Sequence, residues 1–276
     1  MERGAHVVLE KPVALSTADI TRIQETALRT GRTVVVGYVL RYAPHIRLLA
    51  RAVEQGRFGR IFHVGLSVYW NRNDEYYTSA AWRGTWEHDG GTLMNQATHG
   101  IDLLQWLLGG CPATVTGMLA RYLRPIEADD FAAATVQFDS GGIGTINVTV
   151  DAYPKNLGTR LTILGENGTV ELSGNGPDAI TTWKFPEDPE WAATDQAIAA
   201  GSWTPETSGI TGLAGHAGVY EDLSAAIRNK TQPIAGLSSS SVSAEIVLGI
   251  QQSHRDRKPV SFPLTFATAD MAGTTL

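Results

Sequence analysis

The stretch "DFAAATVQFDSGGIGTINVTVDA" (residues 130–152) decides the fold. Apolar residues alternate with polar ones on both sides of a Ser-Gly-Gly break, the pattern of two half-buried strands joined by a hairpin. "TRLTILGENGTVEL" (159–172) repeats the arrangement around Glu-Asn-Gly, and "TVTGMLARYL" (114–123) adds a strand upstream. Strands that follow one another without helices imply an antiparallel sheet. "RIFHVGLSVYW" (60–70) is its expected first strand, with Val64, Leu66 and Val68 on one face. The rhythm before residue 57 differs. "HVVLE" (6–10), a Ser16-capped helix ending at Gly31, "TVVVGYVL" (33–40) and a helix from Pro44 to Gly56 read β-α-β-α, the order of a parallel sheet. Residues 173–213 have loop composition with room for an edge strand. Helices over 216–229 and 239–254 and a short strand, "VSFPL" (260–264), close the chain. The fold class is α/β (α+β), with a boundary near residue 57.

Between the strands lies "GGTLMNQATHGIDLLQWLLGG" (90–110). Read as a helix over 92–108, it is apolar nearly all round and therefore buried. Asn95 and His99 share one face and Asp102 follows three residues on, so these polar groups find partners inside the protein or line a cleft. A loop rich in Tyr, Trp and Arg spans 71–89.

Composition narrows the function. The chain has 276 residues and a net charge of −6 without a basic block, which argues against a nucleic-acid partner. The single cysteine, Cys111, excludes an internal disulfide and fits a reducing cytoplasm. No apolar run approaches the roughly 18 residues of a membrane span, and the start does not read as a signal peptide. The seven histidines are scattered without metal-site spacing, so no metal is expected. "SSSS" (238–241) offers helix caps rather than nucleophiles.

"EKP" (10–12) ending a strand, the Ser-capped helix, the "VGY" strand with Arg41 and Pro44, and "GGTLMNQATHGIDLL" together resemble the Gfo/Idh/MocA oxidoreductases, the glucose–fructose oxidoreductase and inositol dehydrogenase family. "GHAGVYEDLSAAIRNKTQPIAG" (215–236) and "SHRDRKPVSFPL" (253–264) are similar to that family's closing helices. The resemblance implies residues 1–57 as the C-terminal portion of a Rossmann-like dinucleotide-binding domain. Residues 58–276 would form a substrate-binding and oligomerisation domain: a large, mainly antiparallel, open-faced sheet with helices on one face. The closing helices would pack back towards the N-terminal part. No Gly-x-Gly-x-x-Gly loop opens a helix in the chain. "GGIG" (141–144) sits in a hairpin and "GNGP" (174–177) in a loop. The chain as given is therefore expected to bind NAD(P) poorly, to be inactive, and to expose or share the edges of its first two strands.

The same resemblance implies oxidation of a secondary hydroxyl of a sugar, cyclitol or nucleotide sugar, with NAD or NADP taking the hydride. Lys11 would orient the hydroxyl and His99 would take its proton, a task that suits a neutral imidazole. Asn95 stands where many members carry aspartate, and "MNQ" followed by His99 is similar to nucleotide-sugar 3-dehydrogenases. Glu10, Lys11, Pro12, Trp82 and Arg83 are the expected cofactor contacts, and Arg41, Asn95, His99 and Asp102 the expected substrate contacts. Two alternatives stay open: Asp102 orients His99 or bonds to backbone, and Trp82 stacks on a ligand or packs in the core. Lys11-Pro12 is a candidate cis bond. A homo-oligomer, dimer or tetramer, is expected through the open sheet face. The competing reading is a non-catalytic sugar-binding or oligomer-forming module.

Overall fold

The computed structural model describes residues 1–206, 210 and 212–276. β1 (Val7–Leu9) pairs in parallel with β2 (Val34–Val36), and α1 (Thr17–Thr30) connects them. Ser16 starts α1 by accepting the Asp19 N–H, and Gly31 ends it at a φ of 63°. α2 (Pro44–Glu54) has Pro44 in its first turn, where a missing N–H costs nothing.

The strand expected over 33–40 stops at Val36, and Val39–Tyr42 form a 3-10 turn instead. The Gly37 N–H donates to the Leu9 carbonyl and the Tyr38 N–H to the Val36 carbonyl, which folds the chain over the end of β1. That turn carries Tyr38 and Arg41 inward, both fully buried. The outer edge of β2 is covered rather than bare. Val36 N–H donates to the Ala235 carbonyl at 2.8 Å, and Val35 bridges to Gly236.

β3 (Ile61–Tyr69), β4 (Pro112–Ala120), β5 (Phe131–Phe138), β6 (Ile143–Thr149), β7 (Gly158–Gly165), β8 (Thr169–Gly174), β9 (Ala179–Lys184) and β10 (Val260–Ser261) form one sheet in the order β10-β4-β5-β6-β3-β7-β8-β9. Neighbours are antiparallel except β3 and β6, which run parallel. A parallel pair needs a long crossover, and everything from residue 70 to 142 supplies it. The segment read as loops also holds α5 (Ala192–Ala199), and the aromatic loop holds α3 (Asp74–Thr78). Pattern reading misses α5 because none of its residues is buried, so it has no apolar stripe.

The register puts Val64 and Leu66 opposite Ile163 and Leu161, and Leu66 and Val68 opposite Ile146 and Val148, all on one buried face. α4 (Thr98–Leu108) and α7 (Leu237–Asp256) lie against it. Two glycines permit the approach. A Cβ on Gly144 would stand 2.7 Å from Leu104 Cδ2, and one on Gly117 would stand 2.5 Å from Ile250 Cγ2. The opposite face carries Thr116, Thr135, Thr145 and Asn147, with Met118 73% and Ile143 45% exposed. α6 (Gly215–Asn229) packs on the 3-10 turn, its Gly218 against Tyr42. The helix expected over 92–108 has two parts: a π-helical segment, Leu93–Ala97, runs into α4. Among the described residues no helix is long and apolar enough to cross a membrane.

Candidate active site

Lys11 follows β1, where the chain turns through a cis Lys11–Pro12 bond. Its ammonium donates to the Asn95 backbone carbonyl at 2.9 Å across 84 residues of sequence. That carbonyl belongs to the π-helical segment, a wider turn of the kind found at functional sites. Burial pushes the Lys11 amine below its usual range, and the Glu10 and Asp89 carboxylates push it back up.

His99 opens α4 one turn further on. Burial, the Lys11 charge and His216 together push its pKa down to about 3, so the ring is neutral across the physiological range. Tyr38 meets it edge-on, with centroids 5.8 Å apart and planes at 85°, and the Tyr38 hydroxyl pairs with Thr98 Oγ1 at 3.1 Å. Nδ1 of His99 is buried without a partner among the described residues, which leaves Nε2 as the nitrogen a ligand can reach.

A cleft of about 440 Å³ lies beside Lys11, walled by Lys11, Pro12, Trp82, His88, Asp89 and Asn95 among others. Trp82 is 41% exposed, so it presents a ring face rather than packing in the core. Arg83 lies over the rings of Tyr76 and Trp82, at 4.1 and 4.6 Å from their centroids. The neighbouring Glu10 side chain is exposed, with His216 Nε2 3.3 Å from its Oε1.

Of the expected site residues, Lys11, Pro12, Trp82 and Asn95 line the cleft, Glu10, Arg83 and His99 do not, and Arg41 and Asp102 are buried away from it. They pair with each other at 2.6 Å, 0% and 1% exposed, and reach neither the cleft nor the His99 ring nitrogens. The expected substrate contacts through these two residues are corrected to an internal ion pair. Both charges are at full strength only where a partner compensates the loss of water, and each supplies that for the other.

Asp89, Tyr38, His88 and His216 were missed by pattern reading. Asp89 precedes Gly90 and Gly91, which turn at φ 72° and 82°, so "HDGG" reads as turn chemistry rather than as a site. His216 follows Gly215 at the start of α6, in a stretch read only as a closing helix and more than 100 residues from the other site residues in sequence.

Residues 46–171 match the family profile described as the GFO/IDH/MocA C-terminal domain, and residues 1–38 match the oxidoreductase family, NAD-binding Rossmann fold. Among solved structures, the chain is similar to the WlbA dehydrogenase of Chromobacterium violaceum in complex with NADH and UDP-GlcNAcA. Identity is 37% and the TM-score 0.84, over 96% of this chain and 73% of that one. The WlbA dehydrogenase of Bordetella pertussis, in complex with the same two ligands, is 36% identical with a TM-score of 0.81, over 95% and 73% of the respective chains. A curated relative, 1-carboxy-3-chloro-3,4-dihydroxycyclohexa-1,5-diene dehydrogenase of Comamonas testosteroni, is 28% identical over 55% of this chain and 38% of its own length. The chain spans only 27% to 38% of the length of the first curated relatives it matches.

Proposed function

The chain belongs to the Gfo/Idh/MocA oxidoreductase family, and on that premise we propose that it oxidises a secondary hydroxyl of a sugar, cyclitol or nucleotide sugar, with NAD(P) as hydride acceptor. The observation that carries this reading is the meeting of the Lys11 ammonium with the Asn95–His99 turn at the edge of an open cleft. Nucleotide sugars are favoured within that class, because two solved relatives above 35% identity were each captured with UDP-GlcNAcA.

The cleft fits the nicotinamide end of such a cofactor. Trp82 offers a flat apolar face for a ring and Lys11 a donor beside it, and the volume exceeds what one pyridine ring needs. Glu10, Lys11, Pro12, Trp82 and Arg83 would hold it, and when bound it supplies the acceptor for the hydride leaving the carbinol carbon. Lys11 donates a hydrogen bond to the substrate oxygen and stabilises the negative charge that develops there. His99 takes the hydroxyl proton at Nε2. Burial and the Lys11 charge keep the ring neutral, the form that accepts a proton. Asn95 orients the ligand beside them.

NADH binding by cofactor fluorescence, and NAD reduction in the presence of UDP-N-acetylglucosaminuronate, test the reading. Lys11→Ala and His99→Ala should each lower turnover by about 10² to 10⁴. Weak NADH binding is what a chain without a Gly-x-Gly-x-x-Gly loop is expected to show, so the substrate side decides: undiminished turnover in both variants, or no binding of any nucleotide sugar or polyol, would overturn the reading.

A further inference from the structure

Asp89 takes no part in the proton transfer described above, yet it stands in the cleft wall and is only 6% exposed. One carboxylate oxygen accepts the Gly84 N–H at 2.7 Å, and the other accepts the Asn95 side-chain amide. An ionised carboxylate has no proton to give, so it can bond only the nitrogen of that amide. The Asn95 side chain is thereby fixed in one orientation, with Nδ2 on Asp89 and Oδ1 turned away. The described residues offer Oδ1 no donor, so it is free for a ligand. The backbone carbonyl of the same residue holds Lys11. Asn95, Asp89 and Lys11 thus form one constellation, although Asn95 carries no charge of its own.

We propose that Asp89 is the positioning residue of this site: it brings from the loop the negative charge that residue 95 lacks, and it fixes Asn95 as a hydrogen-bond acceptor. A ligand group that docks at position 95 is therefore a donor, a hydroxyl or an amide N–H, neighbouring the hydroxyl held by Lys11. This ligand class rests on the function proposed above; the Asp89–Asn95–Lys11 arrangement does not. Other charged groups face the same atoms. Glu10 acts on Lys11 in the same sense as Asp89, while Arg83 and Lys11 oppose the burial that pushes the Asp89 carboxyl upward. The Lys11 charge and His216 act in turn on His99.

The test needs neither cofactor nor sugar, so a failed turnover assay bears on the proposed function and leaves this inference standing. Acetylation of Lys11 by acetic anhydride is followed across pH by peptide-resolved mass spectrometry in the wild type, Asp89→Asn and Asp89→Glu. Loss of the charge in Asp89→Asn should move the Lys11 midpoint down by about one unit, and Asp89→Glu should return it towards the wild-type value. A purely structural role would leave the midpoint in place. An unmoved midpoint in folded Asp89→Asn overturns the proposal. A second measurement covers a variant that does not fold. In the wild type, the Asn95 side-chain amide resonances, assigned by their absence in Asn95→Ala, should shift with one inflection as Asp89 titrates. Resonances that stay flat through the acid range overturn it equally.

Discussion

Asp102→Ala removes the partner of a guanidinium that has no path to water. Arg41 is 0% and Asp102 1% exposed. Nε and Nη2 of Arg41 donate to the two carboxylate oxygens at 2.7 and 2.6 Å, and Nη1 donates to the Ile234 carbonyl and the Ser239 hydroxyl. The Ser243 hydroxyl donates to Asp102 at 2.9 Å, so one carboxylate ties the 3-10 turn and α4 to α7. Truncating one member of a buried pair costs about 3–5 kcal/mol, because the survivor keeps an uncompensated charge. The bonds to Ile234 and Ser239 remain after truncation and put this case near the lower end. With a urea dependence of about 3 kcal/mol per molar, the midpoint should fall by about 1 M. Urea denaturation followed by tryptophan fluorescence reads it directly. Arg41→Met combined with Asp102→Leu should recover most of the loss, since no charge is then stranded. A loss below about 1 kcal/mol for Asp102→Ala, or a double variant as unstable as the two single losses added, would refute the reasoning.

Three other outcomes follow from the geometry. The His99 ring should show no titration by NMR between about pH 5 and 8, because its pKa is held at about 3. Its folded pKa lies below the unfolded value near 6.5, so the unfolded chain binds the proton first; stability from this group is intact above about pH 6.5 and is lost as pH falls towards 3, which denaturant midpoints against pH would show. Gly117→Ala, whose new Cβ would meet Ile250 Cγ2 at 2.5 Å, should cost about 1–3 kcal/mol by overpacking, read as a lowered melting temperature. The open sheet face, with Met118 and Ile143 exposed, should pair subunits, so light scattering should give a dimer or larger species and Met118→Glu should shift it towards monomer.

The large sheet was legible because each of its strands buries one face, and alternation along the chain records that directly: Val64, Leu66 and Val68 lie on the covered side as expected. α1 was legible because Ser16 and Gly31 make the caps they suggest. Pairing order was not legible. The insertion of β3 between β6 and β7 depends on contacts across more than 70 residues, which local pattern does not encode. The strand over 33–40 misled because β-branched residues and an inward 3-10 turn are equally apolar. At the site, Lys11, Asn95 and His99 stood out through motif and through polarity on an apolar helix. Arg41 and Asp102 stood out for the same reason, and only the third dimension shows that they satisfy each other. Asp89 was silent because an aspartate before two glycines serves turns far more often than clefts.

The π-helical segment before His99 has a consequence for how the chain tolerates change in length. An α-helix advances about 100° per residue, so a residue added to a regular helix would swing everything upstream of it by that angle. Widening one turn absorbs the surplus residue instead, and the helix keeps its phase on either side. Excising a single residue between Leu93 and Ala97 would therefore let the segment relax into ordinary α-helix while the Gly-Gly entrance and His99 stay in register. What such a deletion removes is the widened turn itself, and with it the place from which the Asn95 carbonyl holds Lys11.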